Sequence, residues 1–132
     1  MAKIKICGIK RKADIGFLNK YLPEYAGFVF AESSRQVEPQ LAKELSGDLD
    51  TRIKKVGIFV NEEVGKVIET MACCGLDVVQ IHGDEPRGYF DELKRQIKPG
   101  TAEIWKAVRV NNSDSFSVMA DLAVDAFVLD AY

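Results

Sequence analysis

The stretch DVVQIHG, residues 77–83, decides between two folds. Successive residues of a strand point to opposite faces, so Val79 and Ile81 share one face while Gln80 and His82 share the other. A strand covered by helices on both sides of an open parallel sheet reads apolar on both faces. This one is split. The same split recurs outward from it. In KIKICGI, residues 3–9, Ile4 and Ile6 oppose Lys3, Lys5 and Cys7. In EIWKAVRV, residues 103–110, Lys106 opposes Trp105 and Ala107, and in DAFVLDA, residues 125–131, Asp130 opposes Leu129. One face turned to helices and another to an interior where polar groups converge is the pattern of a barrel. Lys5 and Lys106 are expected lower in that interior, where they need acidic partners or water.

Two further runs, AGFVFA at 26–31 and KKVGIFV at 54–60, complete six strands. Amphipathic segments separate them. Ala13, Phe17, Leu18, Tyr21 and Leu22 recur at helical spacing. Pro39 suits the first turn of a second helix with Leu41, Ala42, Leu45 and Leu49 on its apolar side. Asn61 is read as the N-cap of a third, with Glu62 and Glu63 at its positive end and Gly75 closing it. A fourth opens at Asp84-Glu85-Pro86 and stops before Pro99-Gly100, and a weaker fifth runs from about Ser113 to Leu122. Strict alternation of strands and helices predicts a parallel sheet with right-handed crossovers. Two architectures fit this order, an open doubly wound sheet and part of a barrel; parity favours the second, so the fold expected is α/β, a parallel (βα)8 TIM barrel represented by about six strands and five helices. Residues 1–132 are read as one partial-barrel domain, because a closed barrel has eight strands and usually about 200 residues or more.

Composition narrows the function. With 47% hydrophobic and 29% charged residues and a formal net charge of −2, the chain offers no clustered basic face for nucleic acid. No apolar run approaches the roughly 18 residues needed to span a bilayer, and MAKIKICGIK is expected to enter a strand rather than form a signal peptide. Three cysteines, Cys7, Cys73 and Cys74, make a poor disulfide framework and predict reduced thiols in a cytoplasmic protein. His82 is the only histidine, so no Cys/His cluster has zinc spacing.

Barrel enzymes place their chemistry at the C-terminal ends of the strands. Those ends bear Cys7, the Ser33-Ser34-Arg35 loop, Asn61, His82, Arg109 and Asp130. Each has a bland reading. Cysteine is among the most buried residue types, Arg35 would ordinarily be a solvated charge, and His82 before Gly83 would be a satisfied rim residue. Cys73-Cys74 on a helix reads as packing. Asp130 is harder to dismiss, because a carboxylate directly after Phe127-Val128-Leu129 is costly to bury without a partner.

KICGI, GFVFAESSR, VGIFVNE, LDVVQIHGDE, WKAVRV and DAFVLDAY, in this order and spacing, closely resemble phosphoribosylanthranilate isomerase across essentially all 132 residues. Each motif alone is weak; six in register are specific. The resemblance implies a (βα)8 barrel and an Amadori rearrangement of N-(5-phosphoribosyl)anthranilate in tryptophan biosynthesis, without cofactor or metal. It implies Cys7 as general base, Asp130 as general acid and Arg35 as the ligand of the anthranilate carboxylate; His82, at the end of the fourth strand on the same rim, is read as a substrate-binding residue. A carboxylic acid in that role must keep its proton near neutral pH, above the ordinary value of about 3.9. A thiol base must be partly thiolate.

The family continues past a sixth strand with a glycine-rich loop and two more strands bearing phosphate-binding turns. The expectation is that this stretch alone is a weak or inactive isomerase, either a piece of a longer enzyme or a partial barrel completed by a second copy or a partner. Its first and sixth strands would be open edges prone to self-association. The rival readings are a non-catalytic α/β fragment serving assembly or phosphosugar binding, and a redox protein using Cys73-Cys74.

Overall fold

The computed structural model describes residues 2–111, 113–119 and 121–130. Strands and helices alternate as β1 (Lys5–Cys7), α1 (Lys12–Tyr21), β2 (Tyr25–Val29), α2 (Pro39–Gly47), β3 (Lys54–Phe59), α3 (Val64–Cys74), β4 (Val78–Ile81), α4 (Arg87–Gln96), β5 (Glu103–Arg109), a 3-10 helix (Ser113–Met119) and β6 (Ala126–Asp130). The six strands form one sheet in chain order, and every neighbouring pair is parallel.

The sheet curls. The Lys5 ammonium on β1 donates to Gln80 Oε1 on β4 at 2.5 Å. In a flat sheet those strands would stand three spacings apart, roughly 14 Å, so the contact requires the two strands to bend toward each other over a shared interior. The parity expected from DVVQIHG governs both faces. On the outer face Ala26, Phe28, Phe59, Val79, Ile81 and Ile104 pack against Leu18, Ala42, Val67, Phe90 and Leu93 of the helices, all nearly fully buried. On the inner face Tyr25, Val56 and Val78 form a separate cluster with Trp105. The Tyr25 and Trp105 rings meet edge to face at 4.9 Å, a geometry aromatic quadrupoles favour. These four side chains floor the half-barrel below the strand ends.

Local signals explain most element boundaries. Asp14 Oδ2 accepts from the backbone N–H groups of Lys10 and Arg11 and fixes the entry to α1. Pro39 occupies the first turn of α2 as expected, and Gly75, at φ +63°, closes α3.

Three expectations need correction. Lys106 does not face the interior. Gln80 is in register with Trp105, so the inner face of β5 carries Trp105 and Ala107. Lys106 turns toward α4, donates to Gly83 O at 2.5 Å and lies over the Phe90 ring. Its reason for being there is Glu85, whose side chain is 2% exposed with Oε1 3.7 Å from the ammonium. A carboxylate so buried needs a cation beside it. Second, Asn61 does not cap α3; Glu63 stands at that position. Asn61 instead takes φ +50°, donates its N–H to Glu85 Oε2 and accepts from Asp84 N, tying the loop after β3 to the loop after β4. Third, the weak fifth helix is 3-10 rather than α. Ala120 within it, and Ala131 at the expected end of β6, lie outside the described residues.

The edge strands differ from the central ones. Ile4, Ile6 and Leu129 on their outer faces are 58%, 45% and 57% exposed, whereas the central strands are buried on that side. No described helix is long and apolar enough to cross a membrane.

Candidate active site

The C-terminal ends of the strands surround an open cavity of about 340 Å³. Lys5, Cys7, Arg35, Gln80, His82 and Asp130 all line it. Thus the four residues singled out from sequence, contributed by strands one, two, four and six, converge on one space.

Cys7 is the last residue of β1, and its inward direction follows from pairing with Gly27. Gly27 leaves room for the thiol: a Cβ there would stand 3.2 Å from Cys7 Sγ and 3.1 Å from Ile58 Cδ1. Directly after Cys7 the chain turns at Gly8, φ +87°, and the N–H groups of Gly8 and Ile9 both donate to Gly27 O. A side chain at Gly8 would be strained by that φ and would also stand 2.6 Å from Arg35 Cδ. Gly8 therefore serves Arg35, whose guanidinium lies across it.

Arg35 is set by its own loop. Its N–H donates to Ser33 Oγ, and the following residues return to β2 through a Val29–Gln36 bridge and a Val37 N to Val29 O bond. Among the described residues its guanidinium has no hydrogen-bond or ion-pair partner. A planar five-donor group held at a cavity rim is suited to a two-pronged contact with a carboxylate.

His82 follows β4, with its N–H on Phe59 O. Its Nε2 stands 3.3 Å from Asp130 Oδ2, at the end of β6. The pair is an ion pair when the imidazole is protonated; with the carboxylate side chain 47% exposed, solvent screens it. Lys5 lies beneath. Burial holds its ammonium below the ordinary lysine range, while the Cys7 thiol and the Asp130 carboxylate pull the other way.

A second cavity of about 530 Å³ adjoins the first and shares His82 with it; Asn61, Glu85, Lys106, Arg109 and Ser115 are among its walls. Arg109 and Asn61, both on the rim by sequence, thus belong to this neighbouring space. Beneath it, burial with the nearby Glu85 and Glu62 pushes the Tyr89 phenol up to about 12. Among the described residues no group of three His, Cys, Asp or Glu could hold a metal ion.

Cys73 and Cys74 are separate from this site. Cys74 is buried, donates to Pro39 O at 3.3 Å, and its thiol is pushed up to about 11 by burial and then by Cys73. An un-ionised thiol is a poor nucleophile, so the structure lends no support to a dithiol redox reading. Sequence reasoning passed over Gln80 and Glu85 as anchors. Parity already placed Gln80 inside; the signal for Glu85 was its place in the His82-Gly83-Asp84-Glu85 turn, one strand away from Lys106.

The family model described as N-(5'-phosphoribosyl)anthranilate (PRA) isomerase matches residues 4–132. Among curated relatives, the N-(5'-phosphoribosyl)anthranilate isomerase of Acetivibrio thermocellus is 50% identical over all of this chain and 62% of its own length. That of Clostridium acetobutylicum is 47% identical with the same coverage. This chain therefore spans 62% of the length of these relatives. A crystal structure of phosphoribosyl anthranilate isomerase from Thermotoga maritima superposes with a TM-score of 0.89 at 30% identity, over 100% of this chain and 62% of that one. A phosphoribosyl anthranilate isomerase in complex with reduced 1-(o-carboxyphenylamino)-1-deoxyribulose 5-phosphate also gives 0.89 at 30% identity, over 100% of this chain and 66% of that one.

Proposed function

This chain belongs to the N-(5'-phosphoribosyl)anthranilate isomerase family, and from that premise we propose that its six strands carry the acid, the base and the carboxylate clamp of that isomerisation. The observation that supports this most is the convergence of Cys7, Arg35, His82 and Asp130 on one cavity at the C-terminal end of the sheet.

The roles follow from the chemistry. Asp130 protonates the ribose ring oxygen, the bond from that oxygen to C1 breaks, and the nitrogen lone pair closes a C1=N iminium. Cys7 then takes the proton from C2. The freed electron pair forms the C1=C2 bond and neutralises the nitrogen. The resulting enolamine gains a proton at C1 and gives up the one on its C2 hydroxyl, becoming the ketone, so two protons enter, two leave and the composition is unchanged. Positive charge on the iminium assists the proton transfer to a thiolate, as general base catalysis requires. Acid and base stand on strands far apart in sequence but on the walls of the same cavity, so the sugar fits between them. His82 binds the substrate from the rim and holds the Asp130 carboxyl at 3.3 Å.

Arg35 clamps the anthranilate carboxylate. Arg35→Ala removes a charge-assisted, two-pronged contact of about 1.5–3 kcal/mol. In a chain extended with the remaining length of the Acetivibrio relative, the Michaelis constant should rise by about 10–100-fold while kcat falls much less. Steady-state kinetics check this; an unchanged Michaelis constant would remove Arg35 from the carboxylate site.

The exposed outer faces of β1 and β6 and their unpaired edges support a further proposal, that the 132-residue chain associates with itself without covalent links. The free thiols of Cys7, Cys73 and Cys74 fit a reducing compartment, the cytoplasm. Sedimentation velocity at tens of micromolar should show species heavier than 14.7 kDa that run as monomers on a non-reducing denaturing gel. A single monomer boundary, or disulfide-linked bands, would count against it.

A further inference from the structure

We propose that Lys5 is a positioning residue of this site: its ammonium, carried across the interior to the Gln80 amide, favours the ionised form of the Cys7 thiol and faces the Asp130 carboxylate. The catalytic consequence rests on the reading of Cys7 as the base; the placement of Lys5, Cys7 and Asp130 on the wall of one cavity does not.

Lys5 and Cys7 are two residues apart on one strand and point to the same side. The hydrogen bond to Gln80 Oε1 at 2.5 Å keeps the ammonium inside the half-barrel rather than in solvent below it. A buried ammonium is costly unless anions repay it. Gln80 is neutral and repays only part. The groups on the same cavity wall that can carry negative charge are Cys7 and Asp130, and their charges draw the Lys5 ammonium back toward its protonated form; while Asp130 holds the proton it gives to the ring oxygen, the Cys7 thiolate is the anion that remains.

Other charged or titratable groups face this space. On β1 these are Lys3 and Cys7 itself. Tyr25 comes from β2, Glu32 and Arg35 from the loop after it, His82 from the end of β4 and Asp130 from β6, while Arg109, in register with Asp130 on β5, lines the neighbouring cavity. Lys3, Glu32, Arg35 and Arg109 are exposed, so water weakens their influence on the thiol. Lys5 is the half-buried cation among them. Inside a low-dielectric wall its field reaches Cys7 with less screening.

The test needs no turnover. The 132-residue chain is alkylated with iodoacetamide between pH 6 and 10, and each cysteine is followed by peptide mass spectrometry. Cys73, exposed and far from Lys5, is the internal reference, and slow labelling of buried Cys74 reports an intact fold. In Lys5→Met and Lys5→Gln, of which the second can still hydrogen-bond Gln80, Cys7 should alkylate about three- to tenfold more slowly at pH 7.5. Its half-maximal rate should move to higher pH while Cys73 keeps its profile. Lys5→Arg should keep the parental rate within about twofold. An unchanged Cys7 profile in a folded neutral variant overturns the inference. Should both neutral variants lose Cys74 protection, the parental chain decides: Cys7 must reach half-maximal rate at lower pH than Cys73, and the reverse order overturns the inference. The two readings fail separately. If Cys7 obeys Lys5 but the extended enzyme still turns over as Cys7→Ala, the base assignment falls and the electrostatic contact survives.

Discussion

Cys7→Ala, in the chain extended to the length of its relatives, is expected to lower kcat by about 10²–10⁴-fold and to change the Michaelis constant little. The thiol enters the reaction only when the C2 proton leaves, so its loss removes transition-state stabilisation rather than ground-state binding. The fold should tolerate the change. Cys7 is half-buried against Gly27, and its Sγ packs into a gap that glycine already leaves open. Thermal unfolding should therefore stay within a few degrees of the parent. Turnover near the parental level in a folded Cys7→Ala protein would dismiss the base assignment and return Cys7 to a packing role.

Asp130→Asn is expected to cost a similar factor of about 10²–10⁴ in kcat. The amide keeps the shape and can still face His82 Nε2 at 3.3 Å, but it cannot give up a proton to the ring oxygen. Ring opening should become rate-limiting, so a substrate analogue already opened to the ketone form should bind as tightly as to the parent. Glu32 lines the same cavity and supplies the control. Should Asp130→Asn retain turnover while Glu32→Gln loses it, the acid is Glu32 and the strand-six assignment is wrong.

These tests rest on a site that was legible in the sequence to different depths. Period-two alternation in 77–83 exposed the inner and outer faces, and the structure keeps that split in β1, β4 and β6. It failed in β5 because a lysine beside a tryptophan looked like the polar member of the pair. The indole instead floors the interior with Tyr25, Val56 and Val78. The lysine is spent on Glu85, a partner 21 residues away that only the folded chain brings near. Strand parity is local, whereas a buried ion pair is tertiary, and the second overrides any reading of polarity alone. Asn61 failed for a related reason: its side chain and N–H serve Asp84 and Glu85 rather than the helix it precedes. Counting strand ends put Cys7, Arg35, His82 and Asp130 on the rim beside Asn61 and Arg109, and the family resemblance singled out Cys7, Arg35 and Asp130 among them. Their mutual geometry could not be. Gly8 under Arg35, the 3.3 Å approach of His82 to Asp130, and the Lys5 ammonium reaching Gln80 arise from curl, which no single strand encodes.

The central claim, that the cavity bounded by β1, β2, β4 and β6 seats the anthranilate and the sugar between Cys7 and Asp130, is tested most directly by a crystal structure of the extended chain with the reduced carboxyphenylamino-deoxyribulose phosphate. The predicted density places the Arg35 guanidinium on the anthranilate carboxylate, with the Cys7 sulfur and the Asp130 carboxyl on opposite sides of the C1–C2 bond. Density for the compound in the neighbouring cavity of Asn61, Glu85 and Arg109, with Cys7 and Asp130 both beyond contact, would contradict it.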